Sequence, residues 1–279
     1  MVELDFLLGW KTAAVGFWIL LFFAAERLRP AAPPPVGGDP QEHNPRGGWW
    51  RVARNLSLWL MNAALSPLVV LPLTFWAASH ALDWRPAWWQ GLPGLALDIL
   101  LLDLLIYWWH RANHELPFLW RFHEVHHLDR FLDTTSALRF HFGEVLLSAL
   151  ARAAVVLALG FPFSSVLVFE ALVLIAAIFH HSNLRLPAGL ENALARLIIT
   201  PSLHWVHHHA RRRDTDSNYG TLFSFWDRLF ASRSLTPRSL AMPIGVEGRD
   251  EESLPALLLH PLRAAPAAAA SGRKDLPEG

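Results

Sequence analysis

The chain has 279 residues, 53% of them hydrophobic and only 17% charged, with 14 tryptophans and 17 phenylalanines, which is too apolar for an ordinary soluble domain of this length. Its 24 basic and 24 acidic residues cancel, which excludes a nucleic-acid surface built on net positive charge. It has no cysteine, so disulfides, thiolate metal sites and iron–sulfur clusters are excluded and any metal is held by nitrogen and oxygen.

Apolar runs approaching the about 20 residues of a bilayer span occur in four or five places, which predicts an all-α integral membrane protein. The first covers about residues 7–25 and carries Lys11 near one end, where its stem can snorkel. The acidic start, Glu3 and Asp5, lacks a basic region and a small-residue cleavage site, so no cleaved signal peptide is expected. A Pro/Gly-rich loop over residues 30–48 separates this run from the second, at 56–78, and the third covers 92–109. A long apolar stretch, 145–179, is broken at Gly160-Phe161-Pro162. The break reads either as a tight reversal between two spans or as two half-spans of a re-entrant hairpin. From Ser232 onward, six prolines, an alanine run and scattered charges predict a loosely ordered tail. The expected organisation is an N-terminal transmembrane region at 1–90, a catalytic domain at 91–231 and the tail at 232–279.

Arginines orient the spans. The loop between the first two runs holds Arg27, Arg29, Arg46, Arg51 and Arg54, whereas the loop after the second holds only Arg85, beside Asp83. The positive-inside rule then places the former in the cytoplasm. By the same count the third run ends on that side at His110, and the hairpin returns there at His180-His181. Tryptophan pairs at Trp49-Trp50, Trp88-Trp89 and Trp108-Trp109 fall at span ends, as interfacial belts do. Only Lys11 and Lys274 are lysine, which suggests a GC-rich bacterial genome and hence the inner membrane.

Eight of the 15 histidines fall in three clusters: His110 and His114 (HxxxH), His123, His126 and His127 (HxxHH), and His204, His207 and His208 (HxxHH). Positions i, i+3 and i+4 share a helix face, so each cluster offers its imidazoles together. Neutral imidazole is a common metal ligand and suits iron, zinc and copper. Eight are too many for one ion and about right for two. The clusters are expected in a cytoplasmic helical cap at the mouth of the bundle. Lone histidines such as His80 and His260 read as core residues, and His209 reads as solvent-facing. Asp103, Tyr107, His110 and His114 share one face of the third segment. An acid within a span faces a partner in the bundle, and the expected partner of Asp103 is the ring N–H of a metal-bound histidine. His141, Glu124 and Glu144 are further candidates to support the site, and His180 or His181 brings an imidazole from the fifth segment to the same depth.

The ordered series of histidine clusters, together with Arg139-Phe140-His141, His181-Ser182-Asn183, Asn218-Tyr219-Gly220 and Trp226-Asp227-Arg228-Leu229-Phe230, covers roughly residues 90–230. It resembles the fatty acid hydroxylase / sterol desaturase superfamily of membrane di-iron oxygenases. The resemblance implies that His110, His114, His123, His126, His127, His204, His207 and His208 hold two iron ions, with His181 rather than His180 a further ligand. Asp103, Tyr107, His141 and Asn218 are then expected to hold the ligating rings from behind. The implied activity is O2-dependent hydroxylation or desaturation of a lipid, whether fatty acyl, sterol-like or another isoprenoid. The chain departs from the family at Phe230-Ala231-Ser232, where members usually continue with Gly-Thr, and it carries no fused haem-binding or flavin-binding domain. With no Gly-rich dinucleotide fingerprint and no cysteine, its electrons are expected from a separate reductase, ferredoxin or cytochrome-like protein. Arg111, Arg121, Arg130, Arg211, Arg212 and Arg213 are candidates to dock it or to anchor on anionic headgroups. Two other classes share these features. A metal transporter places its polar ligands at the bilayer midplane, and a di-zinc hydrolase uses metal-bound water without O2.

Overall fold

A computed structural model describes residues 2–33 and 48–263. Helix α1 is Val2–Leu28. Helix α2, Trp49–Leu65, runs through a π-helical turn, Ser66–Val70, into α3, Leu71–Ser79. Pro67 and Pro72 have no amide N–H to donate, and the backbone widens locally rather than breaking. Helix α4 is Gly91–Glu115, α5 Pro117–His127, α6 Phe142–Leu159 and α7 Phe163–His181. The rod Trp49–Ser79 and helices α4, α6 and α7 are each long and apolar enough to cross a membrane, and the protein is an integral membrane protein. At 1.5 Å per residue the 18 residues of α6 span about 27 Å, close to a bilayer's apolar thickness of about 30 Å.

The Gly160-Phe161-Pro162 break is a tight reversal between these two long helices. Gly160 ends α6 at φ 69°, and a Cβ there would lie 2.9 Å from the Leu82 carbonyl oxygen, so conformation and space both select glycine. Ala77, Leu102, Ala153, Val156, Phe161, Val166 and Phe169 pack into the core of the bundle. Phe17, Leu20, Leu60, Leu68 and Phe75 point outward and exposed, as an apolar solvent permits.

The cap gathers at the end of the bundle where α4 and α7 finish and α6 begins. Besides α5 it contains a 3-10 turn, Thr134–Leu138, and short helices α8 (Ala188–Leu194), α9 (Pro201–His207), α10 (Arg212–Thr215), α11 (Phe225–Leu229) and α12 (Leu254–Leu259). Pro117 and Pro201 open α5 and α9, where a missing N–H costs nothing. Asp133 caps the 3-10 turn in a reciprocal box with Ser136. Its carboxylate also binds the buried Arg51 at 2.9 Å, whose Nε meets Asp129 at 2.6 Å. This network fastens α2 to the segment that follows α5. No β-strand is found among the described residues.

The loosely ordered tail expected from Ser232 is corrected for residues 232–263. Ala210 N–H donates to the Pro243 carbonyl at 2.8 Å, and Gly245 N–H donates to that of His208 at 3.1 Å. Glu251 is buried against Arg54 and Arg139. His260 meets Glu124 at 3.0 Å and Glu252 at 3.2 Å. The sequence pattern conceals this because the segment has no period to read; its anchoring comes from single residues that complete a buried charge network. Residues 34–47 and 264–279, with parts of the predicted loop and tail, lie outside the described residues.

Burial lowers the pKa of His260, but its bonds to Glu124 and Glu252 outweigh that and raise it above the ordinary value. A raised histidine contributes stability that is full below the unfolded value of about 6.5 and is lost as pH rises through the folded value. After correction for the intrinsic base catalysis of exchange, the protection of amides in residues 243–260 should therefore fall at alkaline pH, and His260→Gln should abolish that residual dependence. Equal pH dependence in the variant would refute this anchoring role.

Candidate metal centre

The local pattern explains how three clusters build two groups. His110 and His114 of α4, His123 and His127 of α5, and His207 of α9 form one; His126 of α5, His181 of α7, His204 of α9 and His208 just beyond it form the other. Within each group one ring nitrogen from every residue lies within 4.8 Å of the others. On α5 and at α9 the i, i+4 pairs (His123 and His127, His204 and His208) each stay in one group, while the third member (His126, His207) crosses to the other. The groups touch: the His127 and His208 rings stack with centroids 4.3 Å apart. All nine histidines expected as ligands are thus brought together, and all but the half-buried His110 are buried.

Hydrogen bonds on the far side of the rings set the tautomers. A carbonyl oxygen only accepts, so the Nδ1 facing it carries the proton. His126 donates to Arg139 O at 3.0 Å, His181 to Ala177 O at 2.8 Å, His110 to Tyr219 O at 2.8 Å and His207 to Ser217 O at 2.6 Å. His123 donates to the Glu144 carboxylate at 2.8 Å, and Asn113 steadies that carboxylate at 3.3 Å. Each such ring turns a bare Nε2 lone pair inward. The lone pairs of His126 and His181 face one another 3.2 Å apart, and the buried Nε2 atoms of His114, His123, His127 and His207 have no partner. Converging lone pairs without donors repel, and a cation turns that repulsion into ligation. The donor set therefore fits metal ions.

Charge state agrees. Burial holds His126, His127, His204 and His208 well below the ordinary range, reinforced by the neighbouring imidazoles. Burial takes His207 down to about 3 against the opposing bond to Ser217. The rings are neutral and ligand-competent at physiological pH.

The supporting residues differ from expectation. Asp103 touches no histidine: its carboxylate accepts from the Leu222 and Phe223 amides at 3.0 and 3.1 Å and from the Trp226 indole at 2.9 Å. An acid in a span needs partners, and backbone amides serve where an imidazole was expected. Tyr107 bonds Ser232 at 2.7 Å, and His141 accepts from Gly143 N–H and meets the Leu258 carbonyl. Asn218, at φ 52°, binds Leu203 O and Ser234 N, which shapes the turn whose Ser217 and Tyr219 carbonyls hold two rings. Most acceptors behind the rings are backbone carbonyls, which no residue pattern reveals. Glu124 pairs with His260 and Arg249. His209 is buried against Asp214 at 2.7 Å, not solvent-facing as expected. His180 is buried, and its ring lies 4.0 Å from that of His204. A cavity of about 300 Å³ beside Asn183, lined by Glu26, Arg27, Trp49, Arg51, Phe131 and Asp133, holds charged groups already paired with one another.

Residues 95–232 match the family model described as fatty acid hydroxylase. An ornithine lipid hydroxylase of Rhizobium tropici is 27% identical over 75% of this chain and 61% of its own length. An alkylglycerol monooxygenase of Danio rerio is 32% identical over 56% of this chain and 33% of its own, and a cholesterol 25-hydroxylase of Rattus norvegicus 27% over 64% and 60%. The chain thus spans between a third and about three fifths of the length of these three relatives. No solved structure matches it. The matched stretch contains every residue of both imidazole groups, and the chain belongs to the fatty acid hydroxylase / sterol desaturase superfamily.

Proposed function

We propose that this protein is a membrane-bound lipid hydroxylase that uses O2 and external electrons, and that the two imidazole groups hold two iron ions. The observation that carries the reading is the pair of groups of inward-facing imidazoles at one end of four apolar helices. His110, His114, His123, His127 and His207 would hold one ion; His126, His181, His204 and His208 would hold the other. When bound, an iron pair supplies the redox chemistry that activates O2 against an unactivated C–H bond. The chain's own residues orient and protect. The carbonyls of Arg139, Ala177, Ser217 and Tyr219 and the Glu144 carboxylate fix the rings, and Phe140 stacks on His126 with centroids 4.5 Å apart, keeping water from that edge.

The relatives named above are hydroxylases and monooxygenases, which favours hydroxylation over desaturation and a membrane lipid as substrate. The site lies on the cytoplasmic side of a bacterial inner membrane in this reading, supported by the arginines around α2. The exposed Arg121, Arg211, Arg212 and Arg213 of the cap favour docking of an acidic electron-donor protein there. The division into an N-terminal membrane region at 1–90 and a catalytic domain at 91–231 belongs to the same proposal, with residues 232–263 now part of the cap. Membranes expressing the protein under 18O2 with a reductant should yield a lipid heavier by one labelled oxygen. Product formed equally without O2 would replace this reading by a hydrolase.

A further inference from the structure

Most acids and bases in the membrane-spanning helices are accounted for by the cap, by Asp98's bonds to Arg85, Trp89 and Ser165, or by Asp103's to the 222–226 turn. One group is not balanced. Glu170 of α7 meets Lys11 of α1 at 2.8 Å and Arg152 of α6 at 3.1 Å, so two cations share one carboxylate. Charges placed in a membrane core are paired or functional, and this triad keeps one positive charge in excess among the described residues.

The triad borders a crevice between α4, α6 and α7, lined by Leu102, Ile106, Trp109, Ser148, Arg152 and Phe169 among others. Its volume is about 20 Å³, room for one oxygen-sized group. Two of its lining side chains carry donors without an acceptor, the Trp109 indole N–H and the Arg152 Nε–H. The crevice also leads to the imidazoles. Glu144, Ser148 and Arg152 lie four residues apart on one face of α6, and Glu144 is the acceptor that holds His123. Leu102, Ile106, Trp109 and Asn113 repeat at helical spacing on α4, and Asn113 bonds the same Glu144. Two helical faces thus run from the His123 anchor into the membrane and end at excess positive charge. From Glu144 to Arg152 the rise along α6 is about 12 Å.

We propose that this crevice is a subsite for one oxygen of an anionic group of the lipid substrate, a carboxylate, bound by Arg152 and Trp109. The hydrocarbon between that group and the imidazoles then sets which carbon is presented for oxidation. This rests on the lipid-oxygenase reading for its place in catalysis, but its binding chemistry is independent of any metal.

The test is binding of radiolabelled palmitate and 1-hexadecanol to full-length protein in neutral detergent, at a pH where palmitate is ionised. The two probes share a chain and differ in charge, and comparing variants in one detergent cancels partitioning. Arg152→Met should weaken palmitate binding about ten- to hundredfold and leave hexadecanol nearly unchanged. Glu170→Gln, which removes the shared carboxylate, should tighten palmitate binding. Trp109→Phe keeps the ring and removes the donor, so it should weaken palmitate binding alone. A triad that merely fastens α1 to α6 and α7 would change thermal stability and leave the preference unmoved, and that result overturns the proposal. So does a wild-type protein whose palmitate affinity ignores all three substitutions. Metal content is read on the same samples: its absence alongside an Arg152-dependent palmitate preference would sink the oxygenase reading and leave this subsite standing.

Discussion

Arg51→Met is expected to destabilise the protein by about 3–5 kcal/mol, the usual consequence of removing one partner of a buried ion pair. The Arg51 guanidinium is 2% exposed and reaches Asp129, Asp133, the Phe131 carbonyl and Ser136. Burial alone would raise both carboxyl groups, but the charge of Arg51 outweighs it and holds them below the usual range, Asp133 at about 2. With the guanidinium gone, two carboxylates remain buried about one cap. The triple variant with Asp129→Asn and Asp133→Asn should recover part of the loss, because it removes the orphaned charges. Thermal melting in detergent checks both, and a loss below about 1 kcal/mol in Arg51→Met would show that the network does not fasten α2 to the cap.

His207→Ala should reduce lipid oxidation at least about a hundredfold, since even partners behind a ligand cost about 10- to 100-fold when removed. Bound metal should fall with it while the protein level in membranes stays unchanged. His209→Ala is the matched control. His209 is two residues away and buried, yet it pairs with Asp214 and belongs to neither imidazole group, so its metal content should remain at the wild-type level. Metal loss of equal size in both variants would mean that the cap had been damaged rather than a ligand removed.

The eight imidazoles of the three clusters were legible in the sequence because their i, i+3 and i+4 spacings fall on helices that bury that face, whereas the choice of His181 over His180 came from the family resemblance alone. The long spans were legible because α4, α6 and α7 are nearly continuous apolar runs. What the spacing concealed is the division of labour within each cluster, since His126 and His207 cross to the opposite group from their i+1 and i−3 neighbours. The function of Asp103 was misassigned for a related reason. Its helix face was read correctly, but what meets that face is a turn, 222–226, distant in sequence and offering backbone amides. The tail was misread because Glu251 and His260 are single residues in a Pro-rich stretch. They acquire meaning only against Arg54, Arg139 and Glu124, which the fold places beside them.

The measurement that bears most directly on this account is the metal content of full-length protein purified in detergent after expression with iron supplied. Two groups of neutral imidazoles predict about two irons per chain. A protein that folds and holds no metal would contradict it, as would one that takes up two zinc ions with iron excluded.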